Sequence, residues 1–196
     1  VAFYNATDGD NWIDNSGWLD PEVPISAWTG ITEIQGRVRV IEFNNNNLLP
    51  VIPDEIGDLT ALNVLSIVEP TLDFNRQGSL SPEITTLSNL QTLRLENLFI
   101  TDGLPDSIGN LNSLLQLQII GCQLQGELPA SITSMTALQT LDLRSNFMVG
   151  QLPDSLGDLS NLQFLDLRFN GFDGEIPTSL TNITGLQWAL FTQNQL

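Results

Sequence analysis

The sequence of 196 residues contains no histidine and no lysine, and Cys122 is its only cysteine. Without these side chains there is no imidazole base, no Schiff-base amine and no phosphate-binding ammonium. One thiol forms neither an intrachain disulfide nor a cysteine-based zinc site. Carboxylates are therefore the main groups left for chemistry, and we expect no catalytic centre, no metal site and no cofactor.

Positive charge is also scarce, because 23 acidic residues face 6 arginines and the formal net charge is -17. Nucleic acid is excluded as a partner, since phosphate binding needs a basic surface, and an anionic membrane would repel the chain. No apolar run approaches the ~18 residues that span a bilayer, and the sequence opens without a signal peptide. We expect one soluble body, secreted after loss of its leader or held at the cell surface.

A sequence repeat dominates the chain. We take the first apolar residue of each unit as its anchor, and five of the six steps between anchors are 24 residues long, the exception being the 28 residues from Leu62 to Leu90. The unit at residues 138–161, LQTLDLRSNFMVGQLPDSLGDLSN, shows the pattern L-x-x-L-x-L-x-x-N-x-hydrophobic-x-G-x-L-P. The anchors are Val38, Leu62, Leu90, Leu114, Leu138, Leu162 and Leu186.

This pattern predicts one short parallel strand in each unit. Leu141 and Leu143 follow the two-residue period of a strand, which places both inward and Asp142 outward. One unit cannot bury its leucines alone, so neighbouring units stack at about 4.8 Å per strand and share a core. The pattern therefore predicts six full units and a truncated seventh over residues 38–196, after an N-terminal cap of residues 1–37.

Residues 38–196 resemble leucine-rich repeat proteins. The G-x-[LI]-P segments, at Gly126, Gly150 and Gly174, are similar to those of the plant-type subclass, which includes polygalacturonase inhibitors and receptor-kinase ectodomains. The resemblance implies an α/β solenoid, a right-handed coil with a parallel sheet on its concave face and a second short sheet formed by the extra segment.

Residues 1–37 also resemble the N-terminal cap of such proteins. Where the plant cap usually carries two cysteines, this sequence has Ser26 and Glu33. Without that disulfide, we expect burial of Trp12, Trp18 and Trp28 to hold the cap.

The position eight residues after each anchor, here the ladder position, carries asparagine in four units: Asn46, Asn146, Asn170 and Asn194. An amide there can bond the backbone of adjacent turns. We expect Cys122, at the same position, to be a buried structural thiol. Pro70 and Leu98 cannot serve this role, and they flank four extra residues within 68–77. This insertion is either functional, because a lost buried hydrogen bond costs roughly 1 to 3 kcal/mol, or a neutral loop.

The concave face is the usual recognition surface of a solenoid. The four positions of each unit expected there hold five acids and three arginines in total, against 18 acids and three arginines elsewhere. A partner therefore meets least repulsion on this face. We predict that binding involves the charged and aromatic residues of its middle and C-terminal units: Arg94, Glu96, Asp142, Arg144, Phe164, Asp166, Arg168, Phe169 and Trp188.

Other interpretations of these residues stay open. In one alternative the Asp and Arg side chains only pair across strands, and in another Trp188 only shields the last strand. Asp142 and Asp166 could approach at the distance found in glycosidases. However, two arginines interleave with them and an open face offers nothing to raise a pKa, so we expect both carboxyls to stay ionised and to take no part in catalysis.

Together these features predict a non-catalytic extracellular recognition module. Aromatic and arginine side chains dominate protein interfaces, which favours a protein partner, while a cell-wall or extracellular polysaccharide is the alternative. Ice binding, known in a plant relative of this fold, is a third alternative, but Asn112 interrupts the threonine and serine series that it would need. The apolar end at Leu196 predicts either a longer chain or self-association there.

Overall fold

A computed structural model describes all 196 residues of the chain. Twelve strands form, in chain order: β1 (Ile31–Ile34), β2 (Arg37–Asn44), β3 (Val51–Ile52), β4 (Val64–Val68), β5 (Ser79–Leu80), β6 (Thr92–Glu96), β7 (Gln116–Ile120), β8 (Thr140–Asp142), β9 (Val149–Gln151), β10 (Phe164–Asp166), β11 (Gly171–Asp173) and β12 (Trp188–Leu190). Eight of them make one sheet in the order β1-β2-β4-β6-β7-β8-β10-β12. We call the face of this sheet that points away from the core the concave face.

The register of the sheet follows the sequence repeat. Strand β1 pairs antiparallel with β2, and the six other pairs are parallel. Val64 pairs with Thr92, 28 residues on, whereas every other parallel step joins residues 24 apart, as Phe164 and Trp188 show. The anchor spacing therefore predicted the pairing, including its one irregular step.

Leucines fill the space behind the sheet. Leu141 and Leu143 are completely buried, and a single hydrophobic core runs from Phe3 in the cap to Ile183 in the last turns. Burial of a leucine side chain contributes roughly 1.5 to 3 kcal/mol. The alternation along each strand therefore fixes which face is core and which is free.

The side opposite the sheet is made of short 3₁₀ helices, and the only α-helix is α1 (Ala2–Ala6). Most of these turns begin just after or at a proline, whose fixed φ and missing N–H suit the first position of a helix. The helical part of this α/β solenoid is thus 3₁₀ in every repeat. None of the helices has the length and apolar run that crossing a bilayer requires. The 3₁₀ helices are Gly9–Asn11, Ile25–Ala27, Asp54–Asp58, Pro82–Thr86, Ile108–Asn110, Ala130–Ser134, Asp154–Asp158 and Thr178–Asn182.

The second sheet implied by the family resemblance is present in two separate parts. Strands β3 and β5 pair in one, and β9 and β11 pair in the other. Gly150 and Gly174, with φ of 79° and 82°, adopt the left-handed conformation that glycine tolerates best. Between the two parts only an isolated bridge from Gly78 to Ile100 forms, so the second sheet is not continuous.

Aromatic packing holds the cap to the first repeat. The ring of Trp12 lies 5.1 Å from that of Trp18 and 4.8 Å from that of Phe43, and Trp18 lies 4.8 Å from Trp28. Each of the three indole N–H groups donates to a backbone carbonyl. Paired aromatic rings add about 0.5 to 1.5 kcal/mol each to the burial of their area. The tryptophans therefore take the place of a disulfide, as expected.

Candidate functional site

The ladder asparagines fix the ends of the strands that carry the concave face. Asn146 donates from Nδ2 to the carbonyl oxygens of Ile119 and Leu143, at 2.7 and 2.9 Å. Its Oδ1 accepts from the backbone N–H groups of Cys122 and Leu124, at 3.0 and 3.1 Å. Asn170 and Asn194 likewise bond to backbone groups in their own and the preceding turn, which holds neighbouring strands in register, whereas Asn46 bonds to the backbone of Asp14 in the cap.

Cys122 fills the ladder position as a structural thiol. Its Sγ lies 3.4 and 3.3 Å from the carbonyl oxygens of Leu95 and Ile120, either of which can accept the single S–H proton, and the side chain is fully buried. Burial raises the pKa of the thiol to about 12. A neutral, inaccessible thiol is not a nucleophile, so the structure confirms the structural role.

Pro70 itself makes no ladder bond, but the buried acceptor is not lost, because Glu69 supplies it from the neighbouring position. Oε1 of Glu69 accepts from the backbone N–H groups of Asn46 and Leu48, at 3.3 and 3.2 Å. Asn146 accepts from the equivalent two N–H groups, those of Cys122 and Leu124, in the turn before its own. The longer glutamate side chain therefore performs the acceptor half of the ladder role, while its carboxylate has no N–H group to donate.

Backbone conformation also marks the C-terminal edge of the concave face. The residue seven positions after the anchor has φ between 52° and 62° in six of the seven units, Glu69 being the exception: Asn45, Asn97, Gly121, Ser145, Phe169 and Gln193. Phe169, with φ of 56°, is the bulkiest of them and is 52% exposed. A bulky residue in this region is uncommon and costs conformational energy.

The structure corrects the prediction for Asp142 and Asp166, which are 2% and 0% exposed. Nη1 of Arg144 lies 2.9 Å from Oδ2 of Asp142 and 3.5 Å from Oδ2 of Asp166, while Nη2 of Arg168 lies 2.6 Å from Oδ2 of Asp166. Residues two apart on a strand share a face, so each arginine covers the carboxylate that precedes it. Both carboxylates therefore contact arginine side chains beneath the open surface of the sheet.

These contacts move the two aspartate pKa values in opposite directions. Burial raises the pKa of Asp142, and one partner, Arg144, does not offset it. Burial acts on Asp166 in the same way, but the hydrogen bonds from Arg168 outweigh it and lower the pKa of that carboxyl. The expectation that nothing on this face raises a pKa is therefore wrong for Asp142.

The accessible part of the C-terminal half is aromatic and cationic. Phe164 and Trp188 are register partners on β10 and β12, so their side chains lie next to each other on the same face. Trp188 is 60% exposed, Phe164 is half-buried, and Phe169 lies beyond the end of β10. We call these three residues the aromatic patch. Arg144 and Arg168, with 37% and 33% of their side chains exposed, flank it.

The structure does not bring Arg94 and Glu96 into this patch. They pair with each other on β6, with Nη2 of Arg94 2.8 Å from Oε1 of Glu96. Strands β7 and β8 separate β6 from β10, a distance of about 14 Å at about 4.8 Å per strand. The predicted site residues therefore form two groups, of which the C-terminal one is larger and more apolar.

Two exposed aromatic side chains were not predicted from the sequence. Phe147, just past the ladder position, is 57% exposed. Phe74, in the insertion, is 67% exposed and packs edge-on against Phe99 at 5.7 Å. The position of Phe147 varies between units, with phenylalanine in only two of the seven, and Phe74 lies in an insertion that no other unit has, so the repeat gave no signal for either.

The insertion itself is tied down at its C-terminal end. Nη2 of Arg76 donates to the carbonyl of Asn47 at 3.0 Å, and Nε2 of Gln77 donates to Oγ1 of Thr101 at 2.7 Å. A cavity of about 250 Å³ lies between the insertion and the cap end of the sheet, with Glu69 and Arg76 in its wall. The insertion is thus a fixed loop that carries Phe74.

Comparison with known proteins agrees with this geometry. The Leucine Rich Repeat family matches residues 89–111, 137–159 and 161–183. Each segment begins one residue before an anchor and covers one strand with the turn behind it. The chain is a leucine-rich repeat protein. Its G-x-[LI]-P segments and second sheet place this leucine-rich repeat protein in the plant-type subclass, with a cap that contains no cysteine.

Several of the similar proteins are plant receptors. Phytosulfokine receptor 1 of Arabidopsis thaliana is 34% identical over 102 residues, which are 50% of this chain and 9% of the receptor. The ectodomain of the Arabidopsis thaliana receptor kinase GASSHO1/SCHENGEN3, solved with CASPARIAN STRIP INTEGRITY FACTOR 2, superposes with a TM-score of 0.83 and 28% identity, over 93% of this chain and 22% of that one. The Arabidopsis receptor kinase HAESA, solved with the peptide hormone IDA and the co-receptor SERK1, gives 0.80 and 31%, over 90% and 30%. The leucine-rich repeat protein spans less than a third of each of these relatives.

Proposed function

We propose that this leucine-rich repeat protein is a non-catalytic recognition module, secreted or at the cell surface, that binds a protein or peptide through the C-terminal half of its concave face. The observation that carries the proposal is the aromatic patch of Phe164, Phe169 and Trp188 beside two arginines on an open sheet. The receptors similar to this chain include ectodomains solved with peptides bound, which supports the same class of partner.

The patch has the composition of an interface centre. Tryptophan and arginine are enriched among the residues that dominate binding energy. Asp142 and Asp166 hold Arg144 and Arg168 in one position, so less side-chain entropy is lost when a ligand binds. The surrounding surface is strongly acidic, which favours a partner with a neutral or basic surface.

The geometry also supports a non-catalytic role. A carboxylate that acts as acid, base or nucleophile must touch the substrate. Asp142 and Asp166, the pair that came closest to a catalytic arrangement in the sequence, are both covered by arginine side chains. The chain has no histidine or lysine to replace them.

Peptide-display selection against the whole chain tests the proposal. We expect the selected peptides to lose roughly tenfold or more in affinity with Trp188→Ala, and with Arg168→Ala, because each removes a central contact. Phe74→Ala is the matched control, since it removes an exposed aromatic side chain on the insertion after β4, about 19 Å or four strands from β10. Binding that survives Trp188→Ala but not Phe74→Ala would place recognition on the insertion and contradict the proposal.

A polysaccharide is the second candidate, because Phe164 and Trp188 lie side by side on an open face where sugar rings can stack. A glycan array with the same three variants distinguishes the two. Binding to glycans alone, with no peptide selected, would overturn the protein partner.

A further inference from the structure

A groove of about 490 Å³ lies at the other end of the sheet from the aromatic patch. It is bounded by the turn between β1 and β2 and by the turns that precede β4 and β6. None of its lining residues is acidic. The side chains that can bind a ligand there are two arginines, three hydroxyls and two amides: Arg37, Arg39, Thr60, Thr86, Ser88, Asn89 and Gln35.

The two arginines of the groove have no carboxylate partner. The chain contains 23 acids for 6 arginines, and the three arginines of the concave face all form ion pairs. Arg37 has only a long contact of 3.5 Å from Nη1 to Oγ1 of Thr60, and Nη1 of Arg39 donates to the carbonyl of Ala61 at 3.2 Å. A guanidinium has five N–H donors, so most donors of both side chains stay free.

The nearest acids do not neutralise them. Glu33, in the preceding strand, accepts a hydrogen bond from the backbone N–H of Gly36 within the turn. Asp58 lies with Arg37 in an adjoining depression, and no oxygen of Asp58 is within 4.0 Å of a guanidinium nitrogen. The charge inside the groove is therefore positive on a protein whose net charge is -17.

The arrangement of the arginines matches an oxyanion. Arg37 and Arg39 line the same groove, although a β-bulge at Arg39 interrupts the regular pairing of β2 with β1 between them. The planar guanidinium forms two parallel hydrogen bonds with carboxylate or phosphate-like oxygens. The hydroxyl and amide side chains beside them can bond to neutral hydroxyl groups of the same ligand.

We propose that this groove binds an anionic saccharide. Arg37 and Arg39 hold its sulfate ester or carboxylate group, and Thr60, Thr86, Ser88 and Asn89 bond to the sugar hydroxyls. The site is independent of the aromatic patch, which lies on β10 and β12. The acidic residues elsewhere on the protein repel an anionic ligand at long range, but at 0.15 M salt this repulsion is screened beyond about 8 Å. Binding therefore depends on the short-range contacts within the groove.

Calorimetric titration of the whole chain in 0.15 M salt tests the site with four probes: a heparin tetrasaccharide, a tetragalacturonate, inorganic sulfate and a tyrosine-sulfated peptide. We expect saturable binding of at least one of the two saccharides, and tighter binding of it than of sulfate or the peptide. Which saccharide binds identifies the anionic group as a sulfate ester or a carboxylate. Saturable binding of neither saccharide, or equal binding of sulfate or the sulfated peptide, would overturn the proposal.

Paired variants locate the binding. We expect Arg37→Gln with Arg39→Gln to weaken saccharide binding roughly tenfold or more. The control, Arg76→Glu, lowers the net charge by the same two units outside the groove and should have little effect. Arg37→Lys with Arg39→Lys keeps the charge but loses the paired hydrogen bonds, so it should give an intermediate loss. An equal loss in the control would mean that only overall charge is sensed and would refute the groove; thermal unfolding of each variant shows that it is folded.

Discussion

Asp142 and Asp166 occupy the same position on adjacent strands, and the number of their guanidinium contacts separates them. Asp166 accepts hydrogen bonds from Nε, Nη2 and the backbone N–H of Arg168 and lies 3.5 Å from Arg144. Asp142 accepts only from the backbone N–H and Nη1 of Arg144. Both are buried, so the additional partner decides whether ionisation is favoured.

We predict that Asp166→Asn lowers the free energy of unfolding at pH 7 by roughly 1.5 to 3 kcal/mol, because hydrogen bonds to a charged group are lost. The folded-state pKa of Asp166 is lowered. Its contribution is therefore complete above the unfolded-state pKa of about 3.9 and disappears as the pH falls through the lower, folded-state pKa. Urea denaturation at pH 7, 4 and 2 should show wild type and variant converging at the acid end.

Asp142→Asn is the matched comparison. The folded-state pKa of Asp142 is raised, so ionisation of this carboxyl costs stability as the pH rises through its pKa range. The loss at pH 7 should therefore be smaller than for Asp166→Asn. Equal losses with the same pH dependence would show that the additional contacts of Asp166 have no energetic effect.

At the scale of the strand and turn, the sequence predicts the features that follow from the spacing of its repeat, above all which residues pair between strands. The anchors predict the pairing of Val64 with Thr92 and of Phe164 with Trp188, because stacked units place equivalent residues side by side. The burial of the Asp142 side chain was not predictable from the repeat. Alternation predicts that its side chain points away from the core, but the rotamer of Arg144 decides whether water reaches it.

Glu69 shows the same limit within one turn. The ladder pattern identifies Pro70 as a residue that cannot serve, and it contains no information about a longer side chain at the preceding position. The backbone at Glu69 also departs from the left-handed conformation that its equivalents share. Replacement of an asparagine by a neighbouring glutamate depends on how far the side chain extends in the folded structure. A comparison of residue types at equivalent repeat positions does not contain that information.

We predict that Glu69→Ala lowers the free energy of unfolding by roughly 1 to 3 kcal/mol, because the buried N–H groups of Asn46 and Leu48 lose their acceptor. Glu69→Gln keeps an acceptor oxygen and should cost clearly less. Urea denaturation measures the stability, and hydrogen exchange at the two amides shows whether the effect is local. Glu83→Ala removes an exposed acid of the same charge as a control; an equal loss there would contradict a ladder role for Glu69.

At the scale of the whole molecule, charge is partitioned between surfaces. The concave positions nearly balance, with five acids and three arginines, and 18 acids with three arginines occupy the remainder. All four ion-pair contacts lie on the concave face, so the acids elsewhere have no arginine within 4.0 Å. Self-repulsion among these acids opposes the compact state.

We predict that sodium chloride stabilises the protein. Raising the salt from 0.01 to 0.15 M shortens the Debye length from about 30 to about 8 Å, which screens repulsion between exposed acids on successive turns but hardly affects the buried Asp166 pair. A gain of about 1 kcal/mol would raise the thermal midpoint by roughly 2 to 4 °C for a chain of this size. Calorimetry of a variant with Glu55→Gln, Asp154→Asn and Asp158→Asn, three exposed acids outside the concave face, should show a smaller rise. A midpoint that falls with salt would mean that attraction at the concave face outweighs repulsion elsewhere.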